Sequence, residues 1–286
     1  MKIDRLEVWK ESFALVRPYT IAFRTISEVD NLIIKLHSGA RIGLGAASPE
    51  RFVTGESLEA TELALKPERL EFLKTSNFEQ SLAHLQKEFR TTPAARAAVE
   101  IALFDLIAQE AGKSLVDYFG RKHERLPTSI TIGIKGVQET LDEAEEYIGR
   151  GFKVLKVKLG KDMELDIERV LKLREAVGNG VRMRLDMNQG YDPKQVVDFW
   201  ERAKAAQFEF VEQPMLAAAT GTLRGLPAHI RKKIAADESL LSPDDAKALV
   251  SPEPACGIFN IKLMKCGGPS SEARRSPKWL RPMGWN

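Results

Sequence analysis

At 286 residues the chain can bury one barrel-sized core or two smaller ones, and its 43% hydrophobic and 29% charged content is that of an ordinary globular protein. No apolar run approaches the roughly 18 residues of a membrane span, the charged N-terminal strand lacks the apolar core of a signal peptide, and the scattered charges behind the net +3 form no nucleic-acid footprint. The two cysteines, Cys256 and Cys266, make neither a disulfide framework nor a metal spacing, so a cytoplasmic protein without membrane or nucleic-acid partners is expected.

The first segment, to about residue 120, opens with strand-like runs at 3–8, 31–36 and 41–46. The turn His37-Ser38-Gly39-Ala40 joins the last two, which implies a hairpin or meander. Helical patterns follow at 57–65, 78–89 and 93–111. In the last, Thr92 can cap, Pro93 suits the first turn, and Ala97, Ile101, Leu103, Phe104, Leu106 and Ile107 form a stripe wide enough to be buried. Strands followed by helices make this an α+β module.

From Pro127 the pattern changes to short β-rich runs alternating with amphipathic helices, which predicts βα units on a parallel sheet. Strands are expected at 129–134, 154–159, 182–187, 208–211, 234–236 and 257–263, with helices at 138–150, 163–177, 193–206, 223–231 and 244–250. Six βα units result. Thr131, Lys158, Asp186, Glu212, Asp237 and Lys262 fall at successive strand ends, separated by 27, 28, 26, 25 and 25 residues. Parallel barrel strands gather their C-terminal ends around one mouth, so these side chains are expected to converge.

Asp186, Glu212 and Asp237 would repel one another unless a hard cation lay between them, and magnesium suits such oxygen ligands, with manganese as the alternative. Any one strand-end acid alone is as readily a helix cap. Lys158 and Lys262 flank the triad, so two bases can face one substrate carbon from opposite sides. Lys156 and Lys158 alternate with Leu155, Val157 and Leu159, which turns both lysines toward the polar interior. Neighbouring ammonium charge, metal and burial are each expected to lower a lysine pKa, with Lys156 as tuner and Lys158 as base. A substrate carboxylate on the cation, with its α-proton removed by one lysine and returned by the other, gives inversion at that carbon.

The residues that carry this reading resemble the enolase superfamily, specifically its muconate-lactonizing-enzyme subgroup. The segments are KVLKVKLG, RLDMNQGYD, FVEQP, IAADES and NIKLMKCGG, with ARAAVEIALFDL resembling the subgroup's characteristic cap helix. The resemblance implies a capping domain over 1–122 and an incomplete (β/α) barrel over 123–268, together with metal ligands Asp186, Glu212 and Asp237 and catalytic lysines 158 and 262. RPYTIAFRT, GAASPERFVTGES and TIGI are most similar to dipeptide epimerases such as those acting on L-Ala-D/L-Glu. N-succinylamino-acid racemase, o-succinylbenzoate synthase and muconate cycloisomerase share the same five residues, and a catalytically inactive fragment is the reading from a different class. In such epimerases a capping-loop arginine can meet a substrate carboxylate, for which Arg24 is the candidate or else a surface arginine; Thr131 is a substrate contact or an inward barrel residue. Lys262 stands where the mandelate-racemase branch carries an aspartate, and all four histidines lie outside the ring. The partner is a small-molecule carboxylate, with a homo-oligomer left open.

Beyond Leu263 the pattern stops: SPKWLRPMGWN has no strand period, although a closed barrel calls for two more strands. Its codons, shifted by one base, are compatible with an amphipathic helix. Residues 269–286 are therefore expected to be a frameshifted tail, changed near Arg275.

Overall fold

The computed structural model describes residues 2–270. The expected frameshift near Arg275 lies outside the described residues. Three antiparallel strands, β1 (Arg5–Thr20), β2 (Thr25–Ser38) and β3 (Arg41–Ala47), form the first sheet in chain order. Leu32, Ile34 and Leu36 of β2 are buried while their neighbours are partly exposed, the period of two of a half-covered strand. The covering element is the helix Pro93–Glu110, whose Ala94, Ala95, Ala98, Ala102 and Leu106 are all buried. Gly43 and Gly45 of β3 let that helix approach. A Cβ on Gly45 would stand 1.9 Å from the Ala98 carbonyl oxygen, and one on Gly43 2.2 Å from that of Ala102.

The first two strands run well past the expected 3–8 and 31–36, continuing to Thr20 and starting at Thr25, with a register shift between Ala14 and Tyr19. This outer ribbon is largely exposed, and Val16 fully so, so no inward–outward alternation marks it in the sequence.

The second sheet has six parallel strands in chain order: β4 (Ile130–Ile132), β5 (Val154–Lys158), β6 (Arg182–Asp186), β7 (Val211–Glu212), β8 (Ile234–Ala236) and β9 (Ile258–Phe259). Helices Val137–Gly149, Met163–Val177, Pro193–Ala203, Ala228–Arg231 and Pro243–Val250 fall between successive strands. Their starts are written in the sequence. The Asp162 side chain caps the second helix by accepting from the Leu165 amide, while Asp192 with Gln195 and Ser242 with Asp245 make capping boxes. Leu155, Val157, Met183, Leu185 and Val211 join Val170, Leu173 and Phe199 in one buried cluster, which leaves the opposite sheet face for polar residues. The fold is an α+β cap beside a barrel-like sheet of six parallel strands.

The two parts are tied at both ends of the sheet. At one end the Ile134 amide donates to the Thr20 carbonyl at 2.8 Å, and Arg17 reaches Glu143 at 3.0 Å and Glu146 at 2.8 Å. At the other, the fully buried Glu100 of the Pro93–Glu110 helix accepts from Arg96 Nε at 2.8 Å, from the Ser270 hydroxyl at 2.7 Å and from the Ser270 amide at 2.9 Å.

Candidate active site

Lys158, Asp186 and Glu212 are the last residues of β5, β6 and β7, and Asp237 directly follows β8. Lys158 is the ladder partner of Asp186, and Asp186 that of Glu212, so parallel pairing alone sets the three side chains at one level. Thr131 pairs with Lys156 one layer below. The three carboxylates are all buried, at 1%, 3% and 2% exposure, and they lie on the face opposite the helix-packed core.

Ammonium groups stand among them. Lys156 Nζ bridges Asp186 Oδ2 at 2.8 Å and Glu212 Oε2 at 2.7 Å. Lys158 Nζ donates to Asp186 Oδ2 and to Asn188 Oδ1, both at 2.8 Å. Lys262 pairs with Asp237 Oδ2. Lys265 Nζ, fully buried, donates to Asp237 Oδ1, the Asp237 carbonyl and the Asn260 carbonyl, each at 2.7 Å. Asn260 Nδ2 donates to Glu212 Oε1 at 2.7 Å and joins the two halves of the site.

The charges follow from these contacts. Burial alone would raise the Asp186 carboxyl, but Lys156 and Lys158 outweigh it and hold it below the usual range. Burial raises Glu212, repulsion from Asp186 and Asp237 adds to it, and Lys156 opposes the rise without cancelling it. At Asp237 burial is overcome by Lys265 and Lys262, and the group is lowered. Burial and the neighbouring Asp237 and Asp186 push Glu238 up to about 7. Lys156, the expected tuner, is itself raised. Burial does act downward on it, but the Asp186 and Glu212 carboxylates outweigh burial and hold its ammonium above the ordinary lysine value.

Lys262 also differs from expectation in its setting. The strand expected over 257–263 ends at Phe259, and Lys262 becomes the N-cap residue of a short helix, Leu263–Cys266. Gly267, at φ +79°, closes that turn through its amide on the Leu263 carbonyl, and the turn swings Lys265 inward beneath Asp237.

Sequence reasoning missed Lys265, Glu238, Asn188 and Asn260. The Lys-x-x-Lys spacing of NIKLMK was the available signal for the first. Asn188, Gln189 and Gln213 hold left-handed backbone at φ 41°, 66° and 35°, a conformation that costs free energy for non-glycine residues and often marks functional loops. Gln213 Oε1 accepts from the Asp237 amide at 2.9 Å and from the Ser239 amide at 3.1 Å and hydroxyl at 2.9 Å, fixing the loop after β8. Behind Lys158, the fully buried Arg169 donates to the carbonyls of Lys158 at 3.1 Å and Gly133 at 3.0 Å, which locks the ends of β4 and β5.

Arg24 is not among the strand-end groups. It lies in the loop joining β1 and β2, ion-paired with Glu50 and beside the Phe23 and Phe52 rings.

Among the described residues no three carboxylate, imidazole or thiol groups form a ready-made metal cage. The lysines account for this, since each carboxylate of the triad turns toward an ammonium. The donor chemistry nevertheless fits a hard divalent cation. Three buried carboxylates issue from adjacent strands, Lys156 already bridges two of them as a cation would, and Glu238 Oε2 beside them is buried without a hydrogen-bond partner.

Residues 5–120 match the Mandelate racemase / muconate lactonizing enzyme N-terminal domain family, and residues 139–276 match the Enolase C-terminal domain-like family. The L-Lys-D/L-Arg epimerase of Methylococcus capsulatus is 51% identical over 273 residues, which cover 94% of this chain and 76% of the relative. The L-Ala-D/L-Glu epimerase of Bacillus subtilis is 34% identical over 276 residues, with 94% and 75% covered. The crystal structure of the Methylococcus capsulatus dipeptide epimerase, complexed with Mg and the dipeptide L-Arg-D-Lys, superposes with a TM-score of 0.92 at 50% identity, covering 96% of this chain and 78% of that one. The chain belongs to the enolase superfamily, in its mandelate racemase and muconate lactonizing enzyme group.

Proposed function

We propose that this chain is a magnesium-dependent dipeptide epimerase, moving the α-proton of the residue that bears the substrate's free carboxylate. The observation that carries the reading is the order of charges across the sheet. Lys158 on β5 and Lys262 after β9 flank the carboxylates of β6, β7 and β8, so two bases stand on opposite sides of one anionic site. Similarity to dipeptide epimerases along nearly the whole chain supports it.

Asp186, Glu212 and Asp237 would hold the ion, which when bound supplies positive charge to the substrate carboxylate and makes its α-proton more acidic. Lys156 and Asn260 fix the Glu212 carboxylate, and Lys265 fixes Asp237. Lys158, steadied by Asn188, takes the proton from one face. Lys262 delivers a proton to the other, and the reverse reaction exchanges their roles. Thr131, at the level of Lys156, is the candidate substrate contact on the β4 side. Cys256 and Cys266 are both free, which suits the reducing cytoplasm in which we place the chain.

Proton NMR in deuterated buffer tests the reading. The chain with magnesium is expected to wash the α-proton out of a dipeptide and to generate the second epimer. Exchange into N-succinylamino acids with none into any dipeptide would overturn it.

A further inference from the structure

We propose that Arg169, Asp166 and Tyr191 are positioning residues for Lys158, a buried network that holds this base, and not Lys262, at the substrate's α-carbon. The inference rests on the two-lysine reading above and adds three residues that act through Lys158.

The helix Met163–Val177 buries two charged residues, Asp166 and Arg169. Arg169 uses all three guanidinium nitrogens. Its Nε donates to the Thr140 hydroxyl at 3.0 Å, Nη1 to the Lys158 carbonyl and to Asp166 Oδ1, both at 3.1 Å, and Nη2 to the Gly133 carbonyl at 3.0 Å. Asp166 Oδ2 in turn accepts from the Gly160 amide and from the buried Tyr191 hydroxyl, both at 2.7 Å. Gly160 lies in the loop that follows Lys158, and Tyr191 in the loop that carries Asn188, which accepts from Lys158 Nζ at 2.8 Å. One carboxylate thus joins the two loops that bracket the base. They have no slack between them. A Cβ on Gly160, at φ +104°, would stand 2.2 Å from the Met187 carbonyl oxygen, and one on Gly190 2.2 Å from that of Gly160.

Stability alone does not account for this network. Burying a guanidinium and a carboxylate is costly, and apolar residues of similar volume would hold a helix on a sheet about as well. What the ionic pair adds is direction, because its hydrogen bonds fix the main chain at residue 158. Lys158 is thereby gripped at both ends, at its carbonyl by Arg169 and at Nζ by Asp186 and Asn188. A misplacement of about 1 Å at a reacting group can cost about a hundredfold in rate. Lys262 stands apart from this grip. It follows β9, which three strands separate from β5, and it pairs with Asp237. Loosening the network therefore slows proton transfer on the Lys158 face and spares the Lys262 face, whereas general damage to the fold would slow both.

The test follows loss of the α-proton in deuterated buffer from the pure epimers of L-Ala-Lys and of L-Ala-Glu, using the full chain with magnesium and the pair that exchanges faster. Lys158→Ala marks the epimer whose proton faces Lys158. For that epimer Arg169→Met should lower kcat for exchange at least tenfold with KM within twofold, while the other epimer loses less than threefold. Arg169→Lys keeps the charge and should recover part of the loss. Tyr191→Phe removes only the hydroxyl bond to Asp166 and should slow the same epimer severalfold; it decides the matter if Arg169→Met does not fold. Equal losses from both epimers, or no loss in the folded variants, would overturn the positioning role and leave the dipeptide reading standing. No exchange from any of the dipeptides, or no epimer marked by Lys158→Ala, overturns the two-lysine reading and the positioning role together.

Discussion

Lys265 donates to both the carboxylate and the backbone carbonyl of Asp237, each at 2.7 Å, so one buried ammonium fixes the side chain and the main chain of the same residue. Removing that ammonium takes one charged donor from a buried carboxylate and from two carbonyls. Lys265→Met is expected to cost about 3–5 kcal/mol, the usual loss on deleting one partner of a buried pair. Urea unfolding measures it. A midpoint within error of the parent protein would show that Asp237 is held by other groups.

The two lysines are predicted to divide the reaction by face. With Lys262→Ala, Lys158 still reaches the α-proton of one epimer, so that epimer exchanges with solvent deuterium while its stereocentre stays unconverted. Lys158→Ala should show the complementary preference. NMR on each pure epimer reads this, and equal loss of exchange from both epimers in both variants would refute a two-base site.

Acid sensitivity is expected at Glu143, on the helix after β4. Burial pushes its carboxyl up, but hydrogen bonds from Lys135, Tyr147 and Arg17 outweigh burial and hold it below the ordinary value of 4.5. A carboxyl lowered on folding adds stability that is present in full above the unfolded value and is lost as pH falls through the folded one. Glu143→Gln should therefore unfold earlier than the parent at pH 7, and the gap should close below about pH 4. Melting temperatures across pH 3–7 check this, and a gap independent of pH would contradict it.

Gly45→Ala is predicted to separate β3 from the Pro93–Glu110 helix, because the new Cβ has only 1.9 Å to the Ala98 carbonyl oxygen. Backbone cannot yield as a side-chain tip can. The loss is expected at or above the upper end of the about 1–3 kcal/mol typical of overpacking. Denaturation of the variant measures it, and an unchanged midpoint would mean that the helix shifts freely.

The strand-end ring was legible in the sequence because its spacing is a local property: each polar residue closes one βα unit, and the apolar alternation around it sets its face. Lys158, Asp186 and Glu212 needed only that rule, and the ladder brings them level. Lys265 could not be read so. Its burial depends on Asp237, 28 residues away, and on a glycine-closed turn that cuts β9 short. The raised ammonium of Lys156 was not legible for a related reason. Neighbouring ammonium and burial are visible in KVLKVKLG, whereas the carboxylates at 2.7 and 2.8 Å arrive from β6 and β7. The pairing of Arg24 with Glu50 links two loops, neither of which carries a periodic signal.

Because the six parallel strands stand in space in the order in which they occur along the chain, the charged pocket can be laid down during synthesis. Lys158 meets Asp186 after 28 residues, and Asp237 meets Lys262 after 25. A sheet order that left 56 residues between such partners would add only about 0.6 kcal/mol of loop entropy for the doubling. The larger gain is kinetic. Each emerging strand finds its neighbour already formed: Asp186 and Glu212 arrive beside lysines already in place, and Asp237 receives Lys262 and Lys265 from the segment that follows.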